Sequence, residues 1–167
     1  RGGGKEALQQ IVDATESDRS DVRWHAARAI GMIGEDAIAE MPVLIKLLAD
    51  EDAVVAAQAA SAIAMVRDDD DRSNDDLDDA AKTHYADATK ALVTRIVHPD
   101  ARVRRVSIRA LSKLAPPVDM IVPLVAKQLA DEDPSVVMPA LHTMADAGSA
   151  AVPFLIESLS EPKSRYW

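Results

Sequence analysis

Apolar residues recur along this chain at intervals of three and four. Val22, Ala26, Ala29, Ile30 and Ile33 form one run, and Val55, Ala59, Ala62, Ile63 and Val66 repeat its spacing. Val103, Ser107, Ala110, Leu111 and Leu114 give a third, and Val136, Ala140, Thr143, Met144 and Ala147 a fourth. This spacing gathers each run onto one stripe of an α-helix, whereas a half-buried strand would alternate. Between the runs lies a second predicted helix: Leu44 and Leu48 match Leu92 and Ile96, then Val125 and Leu129, then Leu155 and Leu159. Pro42, Pro123 and Pro153 precede these stripes at equivalent places, which predicts proline in a first helical turn, where its missing N–H is unpaired anyway. Asp133-Pro134 reads as an N-cap followed by the first helical residue. Gly34 and Gly148, at matching positions, read as C-terminal stops.

The runs belong to a repeat. Leu48-Ala49-Asp50-Glu51-Asp52 recurs as Leu129-Ala130-Asp131-Glu132-Asp133. In this register Arg19, Asp52, Asp100 and Asp133 are equivalent, separated by 33, 48 and 33 residues. One unit therefore carries 15 additional residues, which the pattern places near 67–83. A period of this size signals a helical solenoid, because a single helix pair cannot bury its apolar stripe without a neighbour. Residues 1–167 read as one domain of four to five repeats.

The strings Asp21-Val22-Arg23-Trp24-His25-Ala26-Ala27-Arg28-Ala29-Ile30-Gly31-Met32-Ile33-Gly34 and Val152-Pro153-Phe154-Leu155-Ile156-Glu157-Ser158-Leu159 resemble the short bacterial HEAT repeats, which include the variant named after the phycocyanobilin lyases. The resemblance implies an all-α fold, a right-handed α-α superhelix built as a solenoid of antiparallel helix pairs. It also implies a non-catalytic scaffold that binds a protein or peptide on its concave helix surface. Two alternatives come with it: an accessory repeat module of a larger enzyme, and a lyase-like protein handling a chromophore or other small ligand. The arginine that commonly follows the valine is present as Arg23 and Arg104 but replaced by Ala56 and Val137, so a polar ladder between repeats is expected to be interrupted. Ser164-Arg165-Tyr166-Trp167 resembles the opening of another first helix, and residues 5–16 resemble a second helix without its partner, so a fragment of a longer array is expected.

In this family the second helices line the concave side. The register puts Asp13, Lys46, Thr94, Lys127 and Glu157 in one row there, with Ala14, Leu47, Arg95, Gln128 and Ser158 beside it. A row with a basic middle and acidic ends suits an extended or helical peptide with a negative centre. Lys46, Arg95, Lys127 and Gln128 are its candidate contacts. Trp24 falls off the core stripe, where other repeats have Ala57, Arg105 and Met138; it is either an interface anchor or packed on the preceding second helix.

Charge narrows the partner class. The net charge is −9 with a pI near 4.8, which opposes binding to nucleic acid and to anionic membranes, since both need clustered cations. Apolar residues make up 48% but aromatics only 3%, a balance set by alanine that suits helices packed at close range. The longest apolar stretch, Ala53 to Val66, is too short to span a bilayer. There is no cysteine, so thiol catalysis and thiolate metal sites are excluded. The opening Arg1-Gly2-Gly3-Gly4 is compatible with a removed leader, and the cytoplasm is the favoured compartment. No feature specifies an oligomeric state.

Candidate chemistry is sparse. Asp68-Asp69-Asp70-Asp71-Arg72-Ser73-Asn74-Asp75-Asp76-Leu77-Asp78-Asp79 offers carboxylates to a hard cation. It lacks the glycine and closing glutamate of a calcium loop, and is expected to be a solvated, self-repelling connection. Arg95, Arg102, Arg104, Arg105, Arg109 and Lys113 form a basic cluster, with a phosphate or acidic-partner site set against an ordinary solvated face. His25, His84, His98 and His142 make no zinc-spaced pair. No nucleophile elbow, phosphate loop or dinucleotide turn occurs, so no catalytic residue, metal or cofactor is expected.

Overall fold

The computed structural model describes residues 3–67 and 77–160. The described chain contains nine α-helices: α1 (Gly3–Ala14), α2 (Ser20–Ile33), α3 (Met41–Leu47), α4 (Ala53–Val66), α5 (Asp79–Arg95), α6 (Ala101–Leu114), α7 (Val118–Ala126), α8 (Pro134–Asp146) and α9 (Val152–Ser160). Short 3-10 segments lead into α3 (Gly34–Glu40) and α9 (Gly148–Ala151) and continue α7 (Lys127–Ala130). No strand occurs among the described residues.

Helices α2, α4, α6 and α8 stack side by side as a first layer. The second layer is made of α1, α3, α5, α7 and α9; the first four each pack on a helix of the first layer, and α9 packs on α7. The array thus grows sideways as an α-α superhelix. Leu48, Ile96 and Leu129 close three successive second helices, each buried in its own repeat. The stripes of α4 and α6 are buried at every position, and that of α8 at all but Ala147, which follows its last residue. On α2, Val22 and Ala29 are half-buried and Ile33 is 38% exposed. Among the described residues α2 has a first-layer neighbour on one side only, which leaves its far flank open.

Small residues set the spacing of the first layer. A Cβ added at Gly31 of α2 would lie 2.8 Å from the Ala62 Cα of α4, so the two backbones touch. Ala59, Ala60 and Ala62 are themselves fully buried. Helix starts follow the sequence signals: Asp52, Asp100 and Asp133 each accept the backbone N–H two residues on, from Val54, Arg102 and Ser135. This satisfies donors that an α-helix leaves unpaired at its N-terminus. Gly34 and Gly148 end α2 and follow α8 with φ of 74° and 58°, the left-handed region glycine enters without a Cβ penalty.

Two details depart from expectation. Pro42 and Pro153 sit in the first turns of α3 and α9, but Pro123 lies inside α7. In that repeat Pro117 starts the helix at once, where the equivalent units insert a 3-10 segment. The end of the expected insertion is also helical: α5 begins at Asp79, capped by the Asp78 carboxylate on the Ala81 N–H. Residues 68–76, which hold most of the aspartate run, and Ser164 to Trp167 lie outside the described residues.

Candidate partner-binding surface

The repeat arginines form rungs between consecutive turns. Arg23 on α2 donates from Nε and Nη2 to the Asp50 carboxylate at 2.7 and 2.8 Å, and its Nη1 bonds the carbonyls of Ser17 and Asp18. Arg104 repeats this one unit pair later, with both bonds to Asp131 at 2.7 Å and Nη1 on the carbonyls of His98 and Pro99. Each guanidinium thus ties the turn before its own helix to the turn before the next. Bidentate, charge-assisted geometry makes these strong contacts. The Arg23 guanidinium holds the Asp50 carboxyl below the usual carboxylate range, aided by the Asp52 N–H and opposed by burial.

The ladder is interrupted in the middle, as expected. Ala56 stands where the arginine would be, and the acid's place is taken by His98. His98 keeps one of the acid's jobs: its Nδ1 accepts the Asp100 N–H at 3.0 Å, as Asp50 and Asp131 accept those of Asp52 and Asp133. Loss of the cation therefore comes with loss of the buried carboxylate. The sequence carried the signal for these partners in the repeated Ala-Asp-Glu-Asp string, read only as a register marker.

On the second layer, the two expected rows separate. Asp13, Lys46, Thr94, Lys127 and Glu157 are all exposed, one per second helix. The neighbouring row turns about 100° into the packing: Leu47 and Gln128 are buried, and Ala14, Arg95 and Ser158 are half-buried. Gln128, at 8% exposure, is therefore not an open contact. Arg95 has its Nε shielded without a hydrogen-bond partner. Lys46 is bonded to Glu16 at 2.8 Å, an exposed pair, and Lys127 is exposed. Trp24 is half-buried on the α4 side of α2, sharing a shallow groove with Asp52, Val54 and Val55. His25 lies edge-on to its ring and the Arg28 guanidinium 5.7 Å from its centroid.

The basic cluster disperses. Arg104 is buried in its rung; Arg102 bonds Asp100, whose pKa this guanidinium pulls down to about 2. Arg109 and Lys113 border a groove with His142 and Asp146 between α6 and α8. No cluster of metal-binding side chains occurs among the described residues.

One site was not visible in the sequence. A cleft of about 370 Å³ opens in the second layer between α5 and the connection from α6 to α7. Leu77, Tyr85, Leu114, Pro116 and Met120 supply apolar walls, and among the described residues Lys82 and Lys90 are its charged lining side chains. The Arg67 guanidinium sits 5.0 Å from the Tyr85 ring centroid. Ala115, in the same wall, has φ 45° and ψ 55°. It occupies the register position that Gly34 and Gly148 fill elsewhere.

Antiparallel helix pairs stacked in two layers at a repeating register define an α-solenoid. A family model of HEAT repeats matches residues 2–64 and 89–166, leaving out mainly the region of additional residues. The chain belongs to the HEAT repeat family. Among solved structures it is similar to the crystal structure of an engineered protein, with a TM-score of 0.69 and 24% identity over 95% of this chain and 74% of that one. A second engineered protein gives a TM-score of 0.66 and 26% identity over 94% of this chain and 44% of that one, so this chain spans less than half of its length. No curated protein matches the sequence.

Proposed function

We propose that this protein is a non-catalytic interaction scaffold that binds a protein or peptide on the exposed face of its second helices. The observation that supports this reading is the row Asp13, Lys46, Thr94, Lys127 and Glu157: five successive second-layer elements, each presenting a solvent-facing side chain from this row. Rigid helices holding side chains at fixed intervals form an extended platform. In a chain of net charge −9, the cations Lys46, Lys82, Lys90 and Lys127 on the second layer and its cleft favour an acidic partner.

A photo-crosslinking amino acid placed at Thr94 or Lys127 should yield adducts with a discrete partner, while the same probe at Arg109 on the first layer should not. Adducts from Arg109 alone would overturn the proposal. Charge reversal at Lys127 should also weaken capture of an acidic partner.

A further inference from the structure

We infer that the cleft between α5 and α7 is a docking site for an amphipathic acidic helix from a partner protein, one that inserts apolar side chains beside Tyr85 and Met120 and places carboxylates near Lys82 and Lys90. The inference rests on the second-layer reading above and specifies which part of that layer recognises the partner.

The cleft follows from a mismatch in helix length. In register, Val118 at the start of α7 corresponds to Tyr85, yet α5 begins at Asp79, six residues earlier. The first turns of α5 therefore run past the point where α7 begins, and the Ala115-Pro116-Pro117 turn stands where a neighbouring helix would continue. Lys82, Tyr85, Ala86, Thr89 and Lys90 all line the opening. Their spacing is that of one helical stripe over two turns, so the site is elongated along α5.

Its chemistry is amphipathic. The exposed lining is mostly apolar, including the 41% exposed Met120. Lys82 and Lys90 are both exposed and lie roughly 12 Å apart along the helix axis. Lys90 pairs with an exposed Asp87 three residues back, a pairing that competes weakly with an incoming carboxylate. Two cations spaced along one stripe suit carboxylates that are themselves spaced along a helix. A helix two turns long, with leucine-like side chains on one face and acids at both ends of it, matches the apolar floor and the two cations together. The strained Ala115 backbone forms part of the same wall, and strain of this kind gathers at binding sites.

The test uses the whole chain and a fluorescein-labelled, alanine-based helical peptide of about 16 residues, with two leucines four residues apart and glutamates flanking them. Fluorescence anisotropy should show saturable binding. Ala86→Glu, an exposed helix position that tolerates glutamate, should weaken it at least tenfold, while Lys127→Glu should change it less than threefold. The double variant K82E/K90E should lose the glutamate peptide and gain a version with lysines in place of the glutamates. Binding that K127E abolishes and A86E leaves intact would overturn the cleft while leaving the broader platform in place. Absence of binding to the wild-type chain, or a small carboxylic acid displacing the peptide at equal concentration, would overturn the proposal. So would affinity that falls as protein concentration rises, which would assign the cleft to a second copy of the chain.

Discussion

The repeat with the missing rung supplies its own control for what the other rungs contribute. Arg104→Ala removes two bonds to Asp131 and two to the carbonyls of His98 and Pro99. It strands the Asp131 carboxylate, only 6% exposed, with the Asp133 N–H as its remaining partner. Removing one member of a buried ion pair costs about 3–5 kcal/mol. Partial solvent access around this pair reduces the expected loss to about 2–3 kcal/mol. Asp131→His alone leaves the Arg104 cation without its carboxylate and should cost about 2 kcal/mol. The double variant R104A/D131H rebuilds the Ala56–His98 arrangement, in which the imidazole accepts the same turn N–H and no charge is stranded. It should lie within about 1 kcal/mol of the original chain, since replacing both partners of a buried pair is often near neutral. The coupling between the two changes is then well above 1 kcal/mol. Urea denaturation followed by far-UV circular dichroism measures all four corners of the cycle, with unchanged slopes confirming that the same surface unfolds. A double variant no more stable than R104A would refute the reasoning, because the histidine would then not be a substitute for the acid.

Three further outcomes follow from the packing. Gly31→Ala should destabilise by about 1 kcal/mol net: forcing a methyl against the Ala62 backbone costs about 2 kcal/mol, offset by about 1 from better helix propensity; a rise in thermal midpoint would show that α2 and α4 separate freely. Ala115→Gly should stabilise by about 0.5–1 kcal/mol by relieving the left-handed backbone, and a loss of stability in the same urea assay would contradict that. The Asp100 carboxyl, at about 2 in the fold against an ordinary 3.8, binds its proton more weakly folded than unfolded. Its contribution is complete above pH 4 and disappears as pH falls toward 2; Asp100→Asn keeps the cap and should flatten the loss of stability in that window, and an unchanged acid slope would disprove it.

The core was readable because period and register agree with what each helix buries. Val55, Ala59, Ala62, Ile63 and Val66 all vanish from solvent, since α4 has first-layer neighbours on both sides. The same reading fails at Ile33, where a stripe position on α2 has no such neighbour. The surface was half readable. Register placed Lys46 and Lys127 on the open face, but it gives no angle around the helix, and adjacent residues differ by about 100°. Gln128 therefore reads as surface in the sequence although it faces the packing. The cleft escaped because it arises from where α5 starts relative to α7, and helix ends are the least legible feature of a sequence. Only Ala115, standing in the series with Gly34 and Gly148, hinted at an irregular turn there.

The additional residues enter between α4 and α5, on a connection from the first layer to the second. Across that site α4 still packs on α6, as α2 packs on α4, so the stacking of the first layer is not broken by the longer connection. Length can thus be added between α4 and α5 without changing the order of the layers. A peptide grafted between residues 67 and 77 would leave α4 and α6 as neighbours.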